Sequence, residues 1–173
     1  MIICVGGFTA CGKNTVGKYV AEALGLRIVD PTFKDLAALE GIPLMEFQKK
    51  AAESKNGEID RKFDDELRRQ ASAGNCVITT WLAPWMVKNA DFRVWLVASE
   101  KVRAKRLAGR EGMSEEEAIA HIKKRDADNI ARYKKVYGID ITKHEIFDLQ
   151  INVEKIGAKE VAEKIVKAIK EKQ

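Results

Sequence analysis

The segment GGFTACGKNT at residues 6–15 comes directly after an apolar run and directly before an amphipathic one. Gly7, four residues, then Gly12-Lys13 is the spacing of a Walker A loop, which forms where a buried strand turns into a helix N-terminus. Gly7 and Gly12 let the backbone turn tightly around a phosphate, successive amides point at the anion, and Lys13 reaches the transferable phosphates. The loop therefore predicts an α/β fold that binds a nucleoside triphosphate, taken as ATP. Gly7, Phe8, Thr9, Ala10, Cys11, Gly12, Lys13, Asn14 and Thr15 are its expected contacts. Asn14 stands where Ser or Thr usually follows the Lys to ligate magnesium. Thr15 and the Asn14 amide oxygen are the candidate Mg2+ contacts, with the ion held mainly by nucleotide phosphates and water. Cys11 reads as a redox-sensitive thiol or a small filler of the loop, and Cys4 and Cys76 as core residues.

Short apolar runs alternate with longer amphipathic ones along the rest of the chain, the pattern of a parallel sheet with crossover helices. Strands are expected at residues 2–6, 27–29, 76–80, 92–98 and 149–153, giving a three-layer sandwich with a five-stranded parallel sheet. Val16, Tyr19, Val20, Ala23 and Leu24 recur at helical spacing before Gly25, which suits a left-handed helix end. Three helical segments are expected between Asp30 and Asn75: one capped by Thr32 with Asp35 and closed by Gly41, one opened by Pro43, and one carrying the Ile59, Phe63, Leu67, Ala71 stripe. A connection this long is more than a plain crossover and reads as a small substrate-covering subdomain. Ser114 and Glu117 form a capping box for a long helix to about Tyr137, and Val161, Ile165 and Ile169 mark a C-terminal helix.

With 173 residues the chain suits one domain, and its three cysteines make a poor disulfide framework and a poor zinc site, which favours a reducing compartment. Residues 70–87, the longest uncharged stretch, are too polar to span a membrane, and MIICVGGF has no basic segment before it; a cytoplasmic protein is expected. Residues 101–135 hold eleven Lys or Arg against six Asp or Glu, a net of +5 that equals the charge of the whole chain. The basic residues are interleaved with apolar ones and no aromatic stacking series accompanies them, so a polyphosphate suits this stretch better than nucleic acid. A solvated helical face is the other reading.

KVRAKRLAGREGMSEEEA at residues 101–118, RDADNIARYKKVYGIDI at 125–141 and the FDLQINV run at 147–153, together with the N-terminal Walker A and the helical insertion, resemble the nucleoside monophosphate kinases and, within them, the archaeal type of cytidylate kinase. The resemblance spans nearly the whole chain. It implies a P-loop NTPase core at 1–30, 75–110 and 146–173, an insertion for the nucleoside monophosphate at 31–74, and an Arg-rich lid with its following helix at 111–137. It further implies ATP-dependent phosphoryl transfer to a nucleoside monophosphate, CMP or dCMP first. Lys13, Arg106, Arg110 and Arg125 take the catalytic roles in that picture, Arg106 and Arg110 on the donor side, while Arg125 and Arg132 reach the acceptor and the transferring phosphoryl. Arg103, Arg106 and Arg110 also share a helix face at spacings of three and four. Guanidinium forks suit such work, because phosphoryl transfer mostly requires cations placed around the equatorial oxygens.

On the acceptor side the sequence departs from the family. Asp30-Pro31-Thr32-Phe33-Lys34 stands where relatives have Ser-x-Gly and then Phe-Arg, Thr79-Thr80-Trp81 replaces an acidic-Gly-Arg group, and Asn129 replaces an acid four residues after Arg125. Asp30, Lys34, Thr80, Trp81, Arg125, Asn129 and Arg132 are the candidate acceptor contacts, and their departures leave the acceptor's identity open. Asp30 either orients a ligand or water, polarises a hydroxyl acceptor as in a shikimate-like kinase, or caps a helix. Trp81 either stacks on a base or joins Trp85 and Trp95 in the core. His121 and His144 read as isolated surface residues. Two other functions remain open: a P-loop kinase of a small hydroxyl metabolite using Asp30, and a non-catalytic nucleotide-binding protein. Expected partners are small-molecule nucleotides, with no nucleic acid or membrane, and a monomer or weak homodimer.

Overall fold

In the computed structural model, residues 1–43, 45–47, 50 and 57–172 are described, apart from the side chains of Phe33 and Lys34. Five parallel strands, β1 (Ile2–Gly7), β2 (Arg27–Val29), β3 (Cys76–Ile78), β4 (Phe92–Val97) and β5 (Leu149–Asn152), form one sheet in the order β2-β3-β1-β4-β5. Every residue of the central strand β1 is buried. Its side chains alternate between two apolar layers: Ile3 and Val5 join the cluster under α1 (Lys13–Leu24) and α7 (Ala158–Lys172), while Ile2 and Cys4 join Leu67, Ala71 and Ala83 on the other face. A strand buried on both faces must read as a continuous apolar run, which is why IICV precedes the loop. This is the three-layer α/β sandwich expected from the sequence.

Between β2 and β3 lie α2 (Phe33–Glu40) and α3 (Glu58–Ser72). The Thr32 hydroxyl accepts from the Asp35 amide while the Asp35 carboxylate accepts from the Thr32 amide, and Gly41 ends α2 with a φ of 67°. Leu36, Ala37, Phe47 and Ile59 make a separate small core here, with Ile42 and Phe63 packed against it. The helix expected to open at Pro43 is present in its described part: residues 45–47 and 50 are helical and the Phe47 amide donates to the Pro43 carbonyl at 3.0 Å, while residues 44, 48, 49 and 51–56 lie outside the described set. After β3 the short α4 (Ala83–Met86) turns the chain into β4, and the Arg93 guanidinium donates to the Pro84 carbonyl of that helix and to the Val87, Lys88 and Ala90 carbonyls of the turn after it.

Past β4, α5 (Glu100–Glu111) and α6 (Glu115–Tyr137) pack on each other through Ala104, Leu107, Ala108, Ala118 and Ile122. The expected capping box is present: Ser114 accepts from the Glu117 amide at 3.1 Å and Glu117 accepts from the Ser114 amide at 2.8 Å. Among the described residues no helix is long and apolar enough to cross a membrane. Cys4, Cys11 and Cys76 are buried and free, and burial pushes the Cys4 thiol up to about 12, so it packs as an apolar group.

Candidate active site

Strand ends β1, β2 and β3 deliver the loop, Asp30 and Thr79 to one side of the sheet, where ligands of open α/β sheets bind. The phosphate loop turns out of β1 through Gly7, whose φ is 151°. A Cβ there would overlap the Cys11 sulfur and come within 3.0 Å of the Leu96 carbonyl oxygen, so only glycine fits. Gly12 (φ 97°) and Ala10 (φ 60°) are also left-handed. The Ala10 conformation is costly for a residue with a side chain and lies in the loop itself, as strain at working sites commonly does.

A cleft of about 850 Å³ opens beyond these strand ends. On its floor are Thr9, Ala10, Gly12, Lys13, Asn14 and Thr15 of the loop, with Asp30, Thr79, Thr80 and Trp81 from the neighbouring strand ends. Arg110 stands at its rim, and α6 supplies Arg125, Asn129 and Arg132. Of the residues expected around the nucleotide, Gly7, Phe8 and Cys11 do not line the cleft. Phe8 packs edge-on against Trp95 with ring centroids 5.2 Å apart, and Cys11 sits in the core at 1% exposure, the small filler of the loop.

Lys13 is the first residue of α1 and lines the cleft. Burial, the largest cause, pushes its ammonium below the usual lysine range, and the Arg125 guanidinium adds to this while Asp30 and Asp126 oppose it. Its Nζ lies 5.3 Å from the Trp81 ring centroid, a cation-π contact in place of a carboxylate partner. A half-buried cation with no paired anion among the described residues fits a polyphosphate. Asp30 is raised, first by burial, and accepts a 2.6 Å hydrogen bond from Asn14 Nδ2. Thr79 stands near enough to favour the Asp30 charge, though outside hydrogen-bond geometry. Thr80 Oγ1 is buried in the cleft with no hydrogen-bond partner among the described residues. Thr15 and Asn14 line the cleft and no cluster of three acidic, His or Cys side chains is found among the described residues, a donor set that suits Mg2+ carried with phosphates and water.

The three arginines of the expected α5 face have separate fates. Arg103 is buried in an ion pair with Asp126, Arg106 donates to the Cys11 and Val153 carbonyls, and Arg110 alone lines the cleft, where it pairs with Glu111 at 2.8 Å. Arg106 thus holds the loop from behind rather than facing the cleft. Lys34 lies on α2, and its side chain is outside the described set.

The opposite wall was not foreseen from sequence. Asp60 and Asp64 on α3 face α6: Asp60 accepts from Arg132 and Asp64 from the Tyr137 hydroxyl. Their spacing of four, one step behind Ile59 and Phe63, was the available signal. His121 is exposed at the cleft, and Tyr133 packs toward Trp81 with centroids 6.5 Å apart. His144 is not an isolated surface residue: its ring lies 4.4 Å from Trp95 in a cluster with Phe147, because the chain before β5 folds back over the sheet edge. Trp85 and Trp95 belong to that cluster, whereas Trp81 opens into the cleft.

Burial lifts the Asp64 carboxyl to about 6, against the pull of the Tyr137 hydroxyl. Its folded value lies above the unfolded one, so its contribution to stability is full at low pH and is lost as pH rises through about 6. Asp64→Asn is therefore expected to melt a few degrees above the parent at about pH 8 and to show no gain at about pH 4. Equal shifts at both values, read by thermal melting, would contradict this.

Comparison with known proteins agrees with the cleft. The model of the cytidylate kinase-like family matches residues 2–155. A cytidylate kinase of Pyrococcus horikoshii is 45% identical over 157 residues, covering 90% of this chain and 81% of its own. One from Archaeoglobus fulgidus is 39% identical over 176 residues, covering 100% and 97%. Among solved structures, an uncharacterized protein from Eubacterium ventriosum superposes with a TM-score of 0.76 at 20% identity over 99% of this chain and 98% of that one, and shikimate kinase from Acinetobacter baumannii with 0.65 at 18% over 99% and 94%. At such identities these structures speak for the shared fold alone. With a phosphate loop at the head of a parallel sheet, arginines of α5 and α6 around the cleft, and relatives matched along nearly its full length, the chain belongs to the cytidylate kinase-like family.

Proposed function

We propose that this protein transfers the γ-phosphoryl group of ATP to CMP or dCMP. The observation that carries the reading is the family match over residues 2–155, whose curated relatives are named cytidylate kinases. The likeness to shikimate kinase is one of fold and gives no support to a hydroxyl metabolite as acceptor. The arrangement of the cleft supports the kinase reading. ATP lies with its phosphates on the loop amides and Lys13, whose desolvated ammonium follows the charge that grows between the β- and γ-phosphates. Arg125 and Arg110 close the ring of positive charge around the transferred group, and Arg132 faces the acceptor. Residues 31–74 act as the acceptor-binding insertion, which carries Lys34 on α2, with Asp30, Thr80, Trp81 and Asn129 turned to the acceptor, and residues 111–137 act as the lid with its following helix. Thr15 and Asn14 would hold Mg2+, which would supply neutralisation of phosphate charge.

The test is ATP consumption over a panel of nucleoside monophosphates and common hydroxyl metabolites. CMP and dCMP are expected to be the best acceptors; phosphorylation of a metabolite alone, abolished in Asp30→Asn, would replace the reading. Because Trp81 and Lys34 stand where relatives have guanidinium forks, the Michaelis constant for CMP is expected to be high. Trp81→Arg is expected to lower it about tenfold, the worth of one charge-assisted contact. A rise in that constant would instead assign the indole to the base.

A further inference from the structure

We propose that Asp126 is a positioning residue for phosphoryl transfer: with Arg103 it fastens the turn of α6 that carries Arg125 onto the phosphate loop, fixing Arg125 relative to Lys13. The inference rests on the kinase reading above. Asp126 and Arg103 are 8% and 7% exposed. One carboxylate oxygen, Oδ1, accepts from the Thr9 amide at 3.2 Å and from the Thr9 hydroxyl at 2.7 Å. The other, Oδ2, accepts from Arg103 Nη1 at 2.7 Å. Arg103 in turn donates to the Thr9 carbonyl at 3.0 Å and to the Ala98 carbonyl at 3.2 Å, and its guanidinium lies 5.6 Å from the Phe8 ring centroid. Loop, the end of β4, α5 and α6 therefore meet at one buried ion pair.

Successive residues on a helix point about 100° apart, so a side chain that reaches the loop leaves its neighbour facing elsewhere. Asp126 does not line the cleft, whereas Arg125 does. The same loop is also gripped beside Thr9, where Ala10 packs against the apolar seam of α5 and α6. Thr9 is four residues before Lys13, and Asp126 is one after Arg125, so the ion pair ties the loop that carries Lys13 to the turn that carries Arg125. Charge that acts by position loses its effect steeply with misplacement: an error of about 1 Å costs ~10²-fold in rate. A purely structural pair behaves otherwise, since a buried ion pair can be exchanged for apolar side chains of similar volume without loss of stability.

The experiment measures single-turnover transfer from ATP to CMP, nucleotide dissociation constants and melting for wild type, Thr9→Val, Asp126→Asn and the double variant Arg103→Met with Asp126→Leu. Asp126→Asn and the double variant are expected to transfer ~10²-fold more slowly with nucleotide affinities little changed, even where the double variant melts like the parent. Thr9→Val, which leaves the ion pair whole, is expected to lose about tenfold. A double variant that melts like the parent and transfers at its rate overturns the proposal; if that variant fails to fold, a wild-type rate in Thr9→Val overturns it. Wild type inert toward CMP defeats the kinase reading alone. Amide exchange then decides the tether: faster exchange at Thr9 in Asp126→Asn supports it, and equal exchange in the two proteins overturns it.

Discussion

Lys13→Ala is expected to lower the turnover of ATP with CMP by ~10²- to 10³-fold while the protein stays folded, the usual cost of removing one donor aimed at developing charge. Among the described residues Lys13 pairs with no carboxylate: its Nζ rests against the Trp81 ring, and burial already disfavours its charge. Truncation removes a cation whose desolvation is a cost to the fold, so melting is expected to stay level or rise while activity falls. Steady-state rates and thermal melting of the two proteins check this, and a folded Lys13→Ala with the parent's rate would reject the phosphate-loop assignment.

Arg125→Ala is expected to have an effect of similar size, ~10²- to 10³-fold in turnover, with a smaller change in the affinity for either nucleotide. Arg125 is exposed in the cleft and makes no ion pair among the described residues, unlike Arg103, Arg110 and Arg132, each of which already faces a carboxylate. Arg125→Lys should recover only part of the loss, because a point charge replaces a planar fork. A fall in affinity with turnover unchanged would place Arg125 in ground-state binding instead.

Features set by neighbours in sequence were legible before the fold was known. The capping boxes Thr32-Asp35 and Ser114-Glu117 and the left-handed Gly25 and Gly41 depend on residues within one turn, and all occur where expected. Strand β3 is two residues shorter than expected, ending at Ile78, because Thr79 and Thr80 leave the ladder to enter the cleft. Less legible was any role that depends on depth. Arg103, Arg106 and Arg110 form one row on paper. Once α5 lies against α6 and the loop, the first is buried, the second points at backbone carbonyls and the third alone reaches the cleft. Asp60 and Asp64 sit more than fifty residues from the α6 groups they meet, and only the packing of α3 against α6 reveals them. The proposed acceptor contacts were the hardest to read, because the resemblance offers no counterpart for Asp30, Trp81 and Asn129, and packing does not decide their roles.

The most direct test of the account follows the fate of the γ-phosphoryl group itself. With γ-labelled ATP and CMP, the label is predicted to appear at the β-position of CDP, and its appearance there to require Lys13 and Arg125. Label recovered only as inorganic phosphate, or only in a hydroxyl metabolite when one is offered beside saturating CMP, would contradict the assignment of this cleft to cytidylate phosphorylation.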